Sequence, residues 1–218
     1  MTEAGIPVIP GSKEPIFDAK TGARIAEGIG YPVIVKAALG GGRKGMRIAN
    51  TSEEFEHSFQ TAQKETELAF GDNTMYIEHF VQHPRHIEFQ ILADHYGNVV
   101  HLFDRDCSVQ RRHQKVVEYA PAFSVPDETR NIIFGSAIRL AKKVGYENAG
   151  TLEFLVDDES NPYFIEMNPR IQVEHTISEM VTNVDLVQSQ ILIAEGYPLD
   201  SDEINIKSQE SVKCNGYS

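Results

Sequence analysis

Gly150-Thr151-Leu152-Glu153-Phe154-Leu155-Val156, then Asp157-Asp158-Glu159-Ser160-Asn161-Pro162, then Tyr163-Phe164-Ile165-Glu166-Met167-Asn168-Pro169-Arg170 run consecutively in this 218-residue chain. A polar, turn-forming stretch lies between two apolar and aromatic ones, which predicts a β-hairpin. With Asp158 to Asn161 as its loop, Val156 pairs with Tyr163 and Glu153 falls opposite Glu166. Side chains alternate along a strand, so Asn168 shares the face of Glu166. Like charges directly opposed on a sheet repel at Cβ separations of about 5 Å. A hard divalent cation with oxygen ligands would compensate them, Mg²⁺ being usual where phosphate completes the shell. The alternative is a solvent-facing hairpin whose acids point into water.

Composition narrows the class. Hydrophobic residues make up 41% of the chain, enough to fill a core in one domain or in two lobes. Helical and strand patterns alternate, which predicts a mixed α and β fold. A net charge of −12 argues against general nucleic-acid or membrane-surface binding. Cys107 and Cys214 are the only cysteines, too few for a disulfide framework or a thiolate metal site, and they fit a reducing compartment. The opening Met1-Thr2-Glu3-Ala4-Gly5-Ile6-Pro7 lacks the pattern of a signal peptide, and no apolar run reaches membrane-spanning length. A soluble intracellular protein is expected. Both ends read as cut, the last residues resembling the opening of a strand.

Local patterns predict a helix over 16–30, a strand at Val33–Ala37 and a second strand ending near Ala49. A capping box at Thr51-x-x-Glu54 opens a helix to Phe70. A strand follows at Met75–Val81, then a hairpin of 85–93 with 98–105 and a helix from Pro126 to Gly145. One helix is expected from Thr176 to Glu195.

Three stretches could carry chemistry. Lys36 precedes Gly40-Gly41-Gly42-Arg43-Lys44-Gly45, a loop in which backbone N–H groups could approach phosphate while Lys36, Lys44 and Arg47 supply charge. No Gly-Lys-Ser/Thr opens a helix there, so it is a strand-loop-strand flap and not a P-loop; a merely flexible turn is equally compatible. In Arg105 to Glu118, a strand over 110–116 would put Arg111, His113 and Lys115 on one face and Gln110, Arg112 and Gln114 on the other. Polar residues on both faces suit a bound polyanion; a solvated charge run or a nucleic-acid patch is the alternative, the latter weakened by flanking acids and missing aromatics. In Asn168-Pro-Arg-Ile-Gln-Val-Glu-His175, Arg170 could hold an oxyanion bidentately with Glu174 as a nearby base, unless the two form a structural ion pair. His79, His83 and His86 suggest zinc, but Pro84 interrupts their spacing and no cysteine lies nearby.

Together, Tyr31-Pro-Val-Ile-Val-Lys-Ala37, the glycine flap, Arg85-His-Ile-Glu88, Arg105-Asp-Cys-Ser-Val-Gln-Arg-Arg-His-Gln-Lys-Val-Val117 and Glu166-Met-Asn-Pro-Arg-Ile-Gln-Val-Glu-His-Thr176 resemble the ATP-grasp core of biotin carboxylases, in the pyruvate carboxylase branch. The resemblance implies an α+β ATP-grasp fold: a small lid subdomain (8–80), a larger antiparallel-sheet catalytic subdomain (81–208) and the start of a truncated C-terminal lobe (209–218). It implies a ligase in which ATP phosphorylates bicarbonate to carboxyphosphate, which carboxylates biotin on a carrier domain outside the chain. By matching position, Lys36 and Gly40, Gly41 and Gly42 would hold ATP phosphates. Glu78 and Val81 would border the adenine, His86 and Gln110 the ribose, and His113 and Lys115 would reach the phosphates. Glu153, Glu166 and Asn168 would bind Mg²⁺ or Mn²⁺; Arg170, Gln172 and Val173 would hold bicarbonate; Glu174 would deprotonate it. A homo-oligomeric parent in the cytoplasm, or in the mitochondrial matrix of a eukaryote, is implied as well. Arg43 departs from the family flap, which has a further glycine there. By the same resemblance the flanking lobes are expected to be missing from this chain, which leaves a catalytically incomplete nucleotide-binding fragment as the competing expectation, with an acyl-CoA carboxylase as the other. The large subunit of carbamoyl-phosphate synthetase fits less well, since Gln172-Val-Glu-His-Thr176 stands where that enzyme has a serine-rich continuation.

Overall fold

Ile87, Phe89 and Ile91 alternate with Glu88, Gln90 and Leu92 along one strand, and all six side chains are buried. A strand buried on both faces, apolar on one and partly polar on the other, belongs to a sheet covered on two sides. The computed structural model, which describes residues 4–39, 45–112 and 114–218, contains such a sheet. The chain divides into two compact units, Ile9–Gln82 and the remainder.

The first unit comprises α1 (Ala19–Ile29), β1 (Val33–Ala37), β2 (Met46–Ala49), α2 (Ser52–Phe70) and β3 (Met75–His79). Its antiparallel sheet has the order β2-β1-β3, and both helices pack on it. Val33, Val35, Phe55, Phe59, Met75 and Ile77 form its core. Asp18 caps α1 by accepting from Thr21 N at 2.8 Å. The capping box expected at α2 does not form: Glu54 accepts instead from the backbone N–H of Asn50 (2.9 Å), and Thr51 makes no side-chain cap bond. The Asn50 amide adds a second bond to the same Glu54 oxygen (3.0 Å), which favours this one-residue shift.

The second unit holds β4 (Arg85–Ala93), β5 (Val99–Arg111), β6 (Gln114–Tyr119), α3 (Asp127–Lys143), β7 (Asn148–Val156), β8 (Pro162–Asn168), α4 (His175–Thr182) and α5 (Leu186–Ala194). Its antiparallel sheet has the order β6-β5-β4-β7-β8. Ile87, Phe89, Ile91, Leu152, Phe154 and Val156 face α3 and pack on Ile133, Ala137 and Leu140. Burying each large side chain contributes about 1.5–3 kcal/mol. On the opposite face Leu92, Ala149, Leu186 and Ile193 form a second core under α5. Val100 and Leu102 join that core, and Glu88, Gln90, Thr151 and Glu153 beside it are polar and buried.

Three expectations are corrected here. The strand over 110–116 breaks at Arg112, whose φ of 55° is left-handed, and the chain returns as β6. Gln110 is therefore paired with Lys115 and Arg111 with Gln114, so Gln110 and Lys115 share a face instead of opposing it. The helix over 176–195 is two helices. Asn183 (φ 57°) ends α4, and Asp185 starts α5 by accepting from Gln188 N at 2.8 Å. Residues 212–218 form no strand; Ser218 exchanges two backbone hydrogen bonds with Ala120, each 3.0 Å.

Candidate active site

In the carboxylate hairpin Val156 pairs with Pro162, not Tyr163, one residue away from the expected register. A bulge at Ile165 then takes up one residue, and Glu153 stands opposite Glu166 as anticipated, with Asn168 opposite Thr151. A second bulge, one extra residue on β5 between Asp104 and His101, accompanies the positive φ of Phe103 (62°) and brings Arg105 opposite Glu88. Glu88 in turn lies opposite Glu153. One row across β5, β4, β7 and β8 thus reads Arg105, Glu88, Glu153, Glu166.

Three acids in a row require dense compensation. Arg105 donates to Glu88 Oε2 (3.1 Å). Lys115 contacts Glu88 and Glu174 closely and lies 3.5 Å from Glu153 Oε1. His86 Nε2 lies 2.9 Å from Glu153 Oε2 and 3.3 Å from Glu88 Oε1. Glu153 Oε1 also accepts from Asn168 (2.9 Å) and Gln172 (2.9 Å). Burial opposes charge on Glu88, but the His86, Arg105 and Lys115 contacts outweigh it and hold the carboxyl at about 2. The same balance lowers Glu153, where His86 and Lys115 overcome burial and the Glu88 charge. Lys115 is raised: burial disfavours its charge, and Glu174 and Glu88 favour it more strongly.

Burial also works against charge on His86, yet its two carboxylates raise it to about 9. The Gln110 amide nitrogen donates to Cys107 O (2.9 Å) and lies 3.1 Å from His86 Nδ1, an arrangement that suits a ring protonated on Nε2 alone. The imidazolium that the carboxylates favour requires the Gln110 amide to turn its oxygen toward the ring.

His86, Gln110, Lys115, Glu153, Glu166, Asn168, Gln172 and Glu174 are thereby brought into one connected cluster. Of two neighbours in sequence, one touches it only through Asn168 and the other stays out. The exposed Arg170 guanidinium folds back onto Ile171 O (3.1 Å) and Asn168 Oδ1 (3.4 Å), and Val173 is 92% exposed. In the other unit Lys36 pairs with Glu78 across β1 and β3, and Val81 is buried. Gly40, Gly41, Gly42, Arg43, Lys44 and His113 lie outside the described residues.

Asn168 tests the fit of a cation. Its amide nitrogen donates to both Glu153 Oε1 (2.9 Å) and Glu166 Oε1 (3.1 Å), so the one bridging group offers partial positive charge to both acids. Turned over, the same amide presents an oxygen, giving the all-oxygen donor set a hard dication takes. Mg²⁺ or Mn²⁺ fits these residues.

Arg105, Gln90, Thr151, Ser178 and Glu88 belong to this network although the sequence pattern assigns them no individual role. The available signal was the alternation of Glu88 and Gln90 with Ile87, Phe89 and Ile91, which marks buried polar groups on one face of a core strand.

The family described as Carbamoyl-phosphate synthase L chain, ATP binding domain matches residues 1–202. The chain belongs to this family. Curated relatives include pyruvate carboxylase 1 of Caenorhabditis elegans, 53% identical over 98% of this chain, and the Bacillus subtilis pyruvate carboxylase, 51% identical over 99%. The chain spans only 18% and 19% of those two proteins. Among solved structures, a Campylobacter jejuni biotin carboxylase complex with beta-gamma-ATP superposes with a TM-score of 0.85 at 50% identity, covering 99% of this chain and 47% of that one. The biotin carboxylase domain dimer of Hydrogenobacter thermophilus 2-oxoglutarate carboxylase, in complex with MgADP, ADP and bicarbonate, gives 0.84 at 47% identity, covering 99% and 46%. The fold is that of ATP-grasp biotin carboxylase domains, α+β with antiparallel sheets. Although the family carries the synthetase's name, these relatives are carboxylases, which agrees with the reading of Gln172-Val-Glu-His-Thr176. Among the described residues no helix is long and apolar enough to cross a membrane.

Proposed function

We propose that this chain carries the ATP- and bicarbonate-handling residues of a biotin carboxylase of the pyruvate carboxylase type. The observation that carries the reading is Lys115, held between Glu88 and Glu174 beside the opposed pair Glu153 and Glu166. That arrangement gathers a cation, a candidate base and a candidate dication site beside one another, which supports phosphoryl transfer to a small oxyanion.

In this reading Glu174 takes the proton of bicarbonate, which Arg170, Gln172 and Val173 hold. A bicarbonate oxygen attacks the γ-phosphorus, the bond to the β-phosphate oxygen breaks, and ADP leaves carboxyphosphate behind. Lys36 and the glycine flap are assigned to the ATP phosphates, Glu78 and Val81 to the adenine, His86 and Gln110 to the ribose, and His113 and Lys115 to the phosphates. Held by Glu153, Glu166 and Asn168, Mg²⁺ or Mn²⁺ supplies charge neutralisation at the phosphates. Biotin on a separate carrier domain supplies the nitrogen that accepts the carboxyl group. We assign 8–80 to a lid and 81–208 to the catalytic part. We assign the protein to the cytoplasm, or to the mitochondrial matrix of a eukaryote; the mouse relative is called pyruvate carboxylase, mitochondrial. A homo-oligomeric parent is in keeping with the neighbour described as a domain dimer.

The test is ATP hydrolysis with Mg²⁺ in bicarbonate-depleted buffer and after bicarbonate is restored, with Glu174→Gln alongside. Stimulation by bicarbonate that the variant loses supports the reading. A folded protein that binds MgATP but ignores bicarbonate supports the nucleotide-binding fragment instead.

A further inference from the structure

Arg105 is fully buried. Its Nη1 donates to Gln90 Oε1 (2.8 Å) and Ser178 Oγ (3.0 Å). Its Nη2 donates to Gln172 Oε1 (2.9 Å), Glu88 Oε2 (3.1 Å) and Thr151 Oγ1 (3.2 Å). Of these five partners only Glu88 is charged, and Lys115 and His86 already contact that carboxylate. Neutralising Glu88 therefore leaves most of the guanidinium's contacts unexplained.

The other contacts have a direction. Gln90 and Thr151 stand on the sheet, whereas Gln172 and Ser178 lie in the segment after β8 and in α4, and the fork spans both. A guanidinium offers only donors, so the Gln172 amide must turn its oxygen to Arg105. Its nitrogen is then aimed at Glu153 Oε1, at 2.9 Å. The reversed amide would set donors against the guanidinium and its oxygen against the Glu153 carboxylate, two repulsive contacts in place of two attractive ones.

We propose that Arg105 is a positioning residue for the 170–174 segment. It locks the Gln172 amide in one orientation and, through Ser178, fixes the first turns of α4, so that Gln172, Val173 and Glu174 are presented in register with Glu153. Lysine cannot replace it, because one ammonium lacks the planar fork that reaches five acceptors on three elements and a loop. That the segment binds bicarbonate rests on the function proposed above; the orientation of Gln172 does not.

Arg105→Lys tests both parts. In the whole chain, steady-state kinetics are expected to show the KM for bicarbonate raised about tenfold, the effect of losing one charge-assisted hydrogen bond, with the KM for MgATP little changed. A scaffold role alone would lower the melting temperature and the folded fraction without separating the two KM values. Independently, ¹⁵N NMR of the Gln172 side-chain amide, assigned with Gln172→Asn, is expected to give two dispersed, slowly exchanging proton signals in the wild type. In Arg105→Lys they should collapse toward those of a free glutamine. Unchanged amide signals in the folded variant overturn the proposal, as does an unchanged bicarbonate KM. Should the wild type show no bicarbonate stimulation, the proposed function fails, while the NMR comparison still decides what Arg105 orients. If Arg105→Lys does not fold, Ser178→Ala keeps the charge and the sheet contacts, and the same two readouts are expected to move the same way by a smaller factor.

Discussion

Glu153 and Glu166 stand directly opposite each other on β7 and β8, with the Asn168 amide donating to both. The pair is unequal. Glu153 is buried and also contacts His86, Lys115 and Gln172, whereas Glu166 is exposed and leans on Asn168. Without a cation the repulsion is a net cost of about 0.2–1 kcal/mol, typical of a cross-strand like-charge pair. Glu166→Gln should recover that amount in chelator-treated buffer, seen as a higher denaturation midpoint. In saturating Mn²⁺ the order should reverse, because a ligand that binds only the folded state stabilises the wild type and not the variant. Equal stabilisation of both proteins by Mn²⁺ would remove Glu166 from the cation site.

Gly45, just before β2 in the first unit, is held under two constraints. Its φ is +72°, and a Cβ there would sit 2.2 Å from Thr66 Oγ1 and 2.8 Å from Ala37 Cβ. Left-handed backbone and overlap together make Gly45→Ala cost about 2–4 kcal/mol. Thr66→Ala in the same chain should return part of this, since it removes the nearest atom but not the strain or the Ala37 contact. Denaturant melts of the four proteins of the double-mutant cycle give the coupling; additive effects would show that Thr66 is not what the new methyl meets.

His101 lies far from this chemistry in kind. Its ring stacks on Phe134 at 3.6 Å between centroids, and burial lowers its pKa from 6.5 to about 4. Folding therefore favours the neutral ring. The unfolded chain takes up a proton as pH falls below about 6.5, the folded protein only near 4, so stability is lost between those values and no further below them. The loss from this group is on the order of 3 kcal/mol. His101→Phe should keep the aromatic packing and flatten this part of the pH profile relative to wild type. Parallel profiles for the two proteins between pH 6.5 and 4 would refute the assignment.

How far these features could be read in the sequence depends on the range of the interaction. Glu153 opposite Glu166 was legible because both strands lie within one short hairpin and period-two alternation does the rest. Even there the bulge at Ile165 was invisible, and the correct pairing came from a turn register one residue off, which the bulge offsets. The turn at Arg112 was missed because Arg111, Arg112 and His113 carry no Gly, Pro or Asn to announce it, and the left-handed conformation falls on an arginine. Arg105 was unreadable as a site residue for another reason. Its contacts with Gln172 and Ser178 are 67 and 73 residues away, and its direction depends on the bulge near Phe103 that re-phases the strand. Local pattern carries no information about either.

Lys115 shows what the acidic row does when its cation is removed. The ammonium touches Glu88 and Glu174 and lies near Glu153, with 22% of the side chain exposed. Lys115→Gln keeps a hydrogen-bonding head but leaves the carboxylates facing Arg105 and His86 alone. Breaking a fully buried pair costs about 3–5 kcal/mol; with this side chain partly hydrated, about 1–3 kcal/mol is expected. The loss should be smaller only toward pH 2, where Glu88 takes up its proton, and smaller again in Mn²⁺, which can stand in for part of the missing charge. Bicarbonate-stimulated hydrolysis should fall by about 100-fold or more, because neither change restores the ammonium charge beside Glu174. Denaturation midpoints in chelator and in Mn²⁺, compared with the wild-type pair, separate the two effects. A variant as stable as wild type in chelator would mean that Arg105 and His86 suffice to hold the row, and that Lys115 is kept for the chemistry alone.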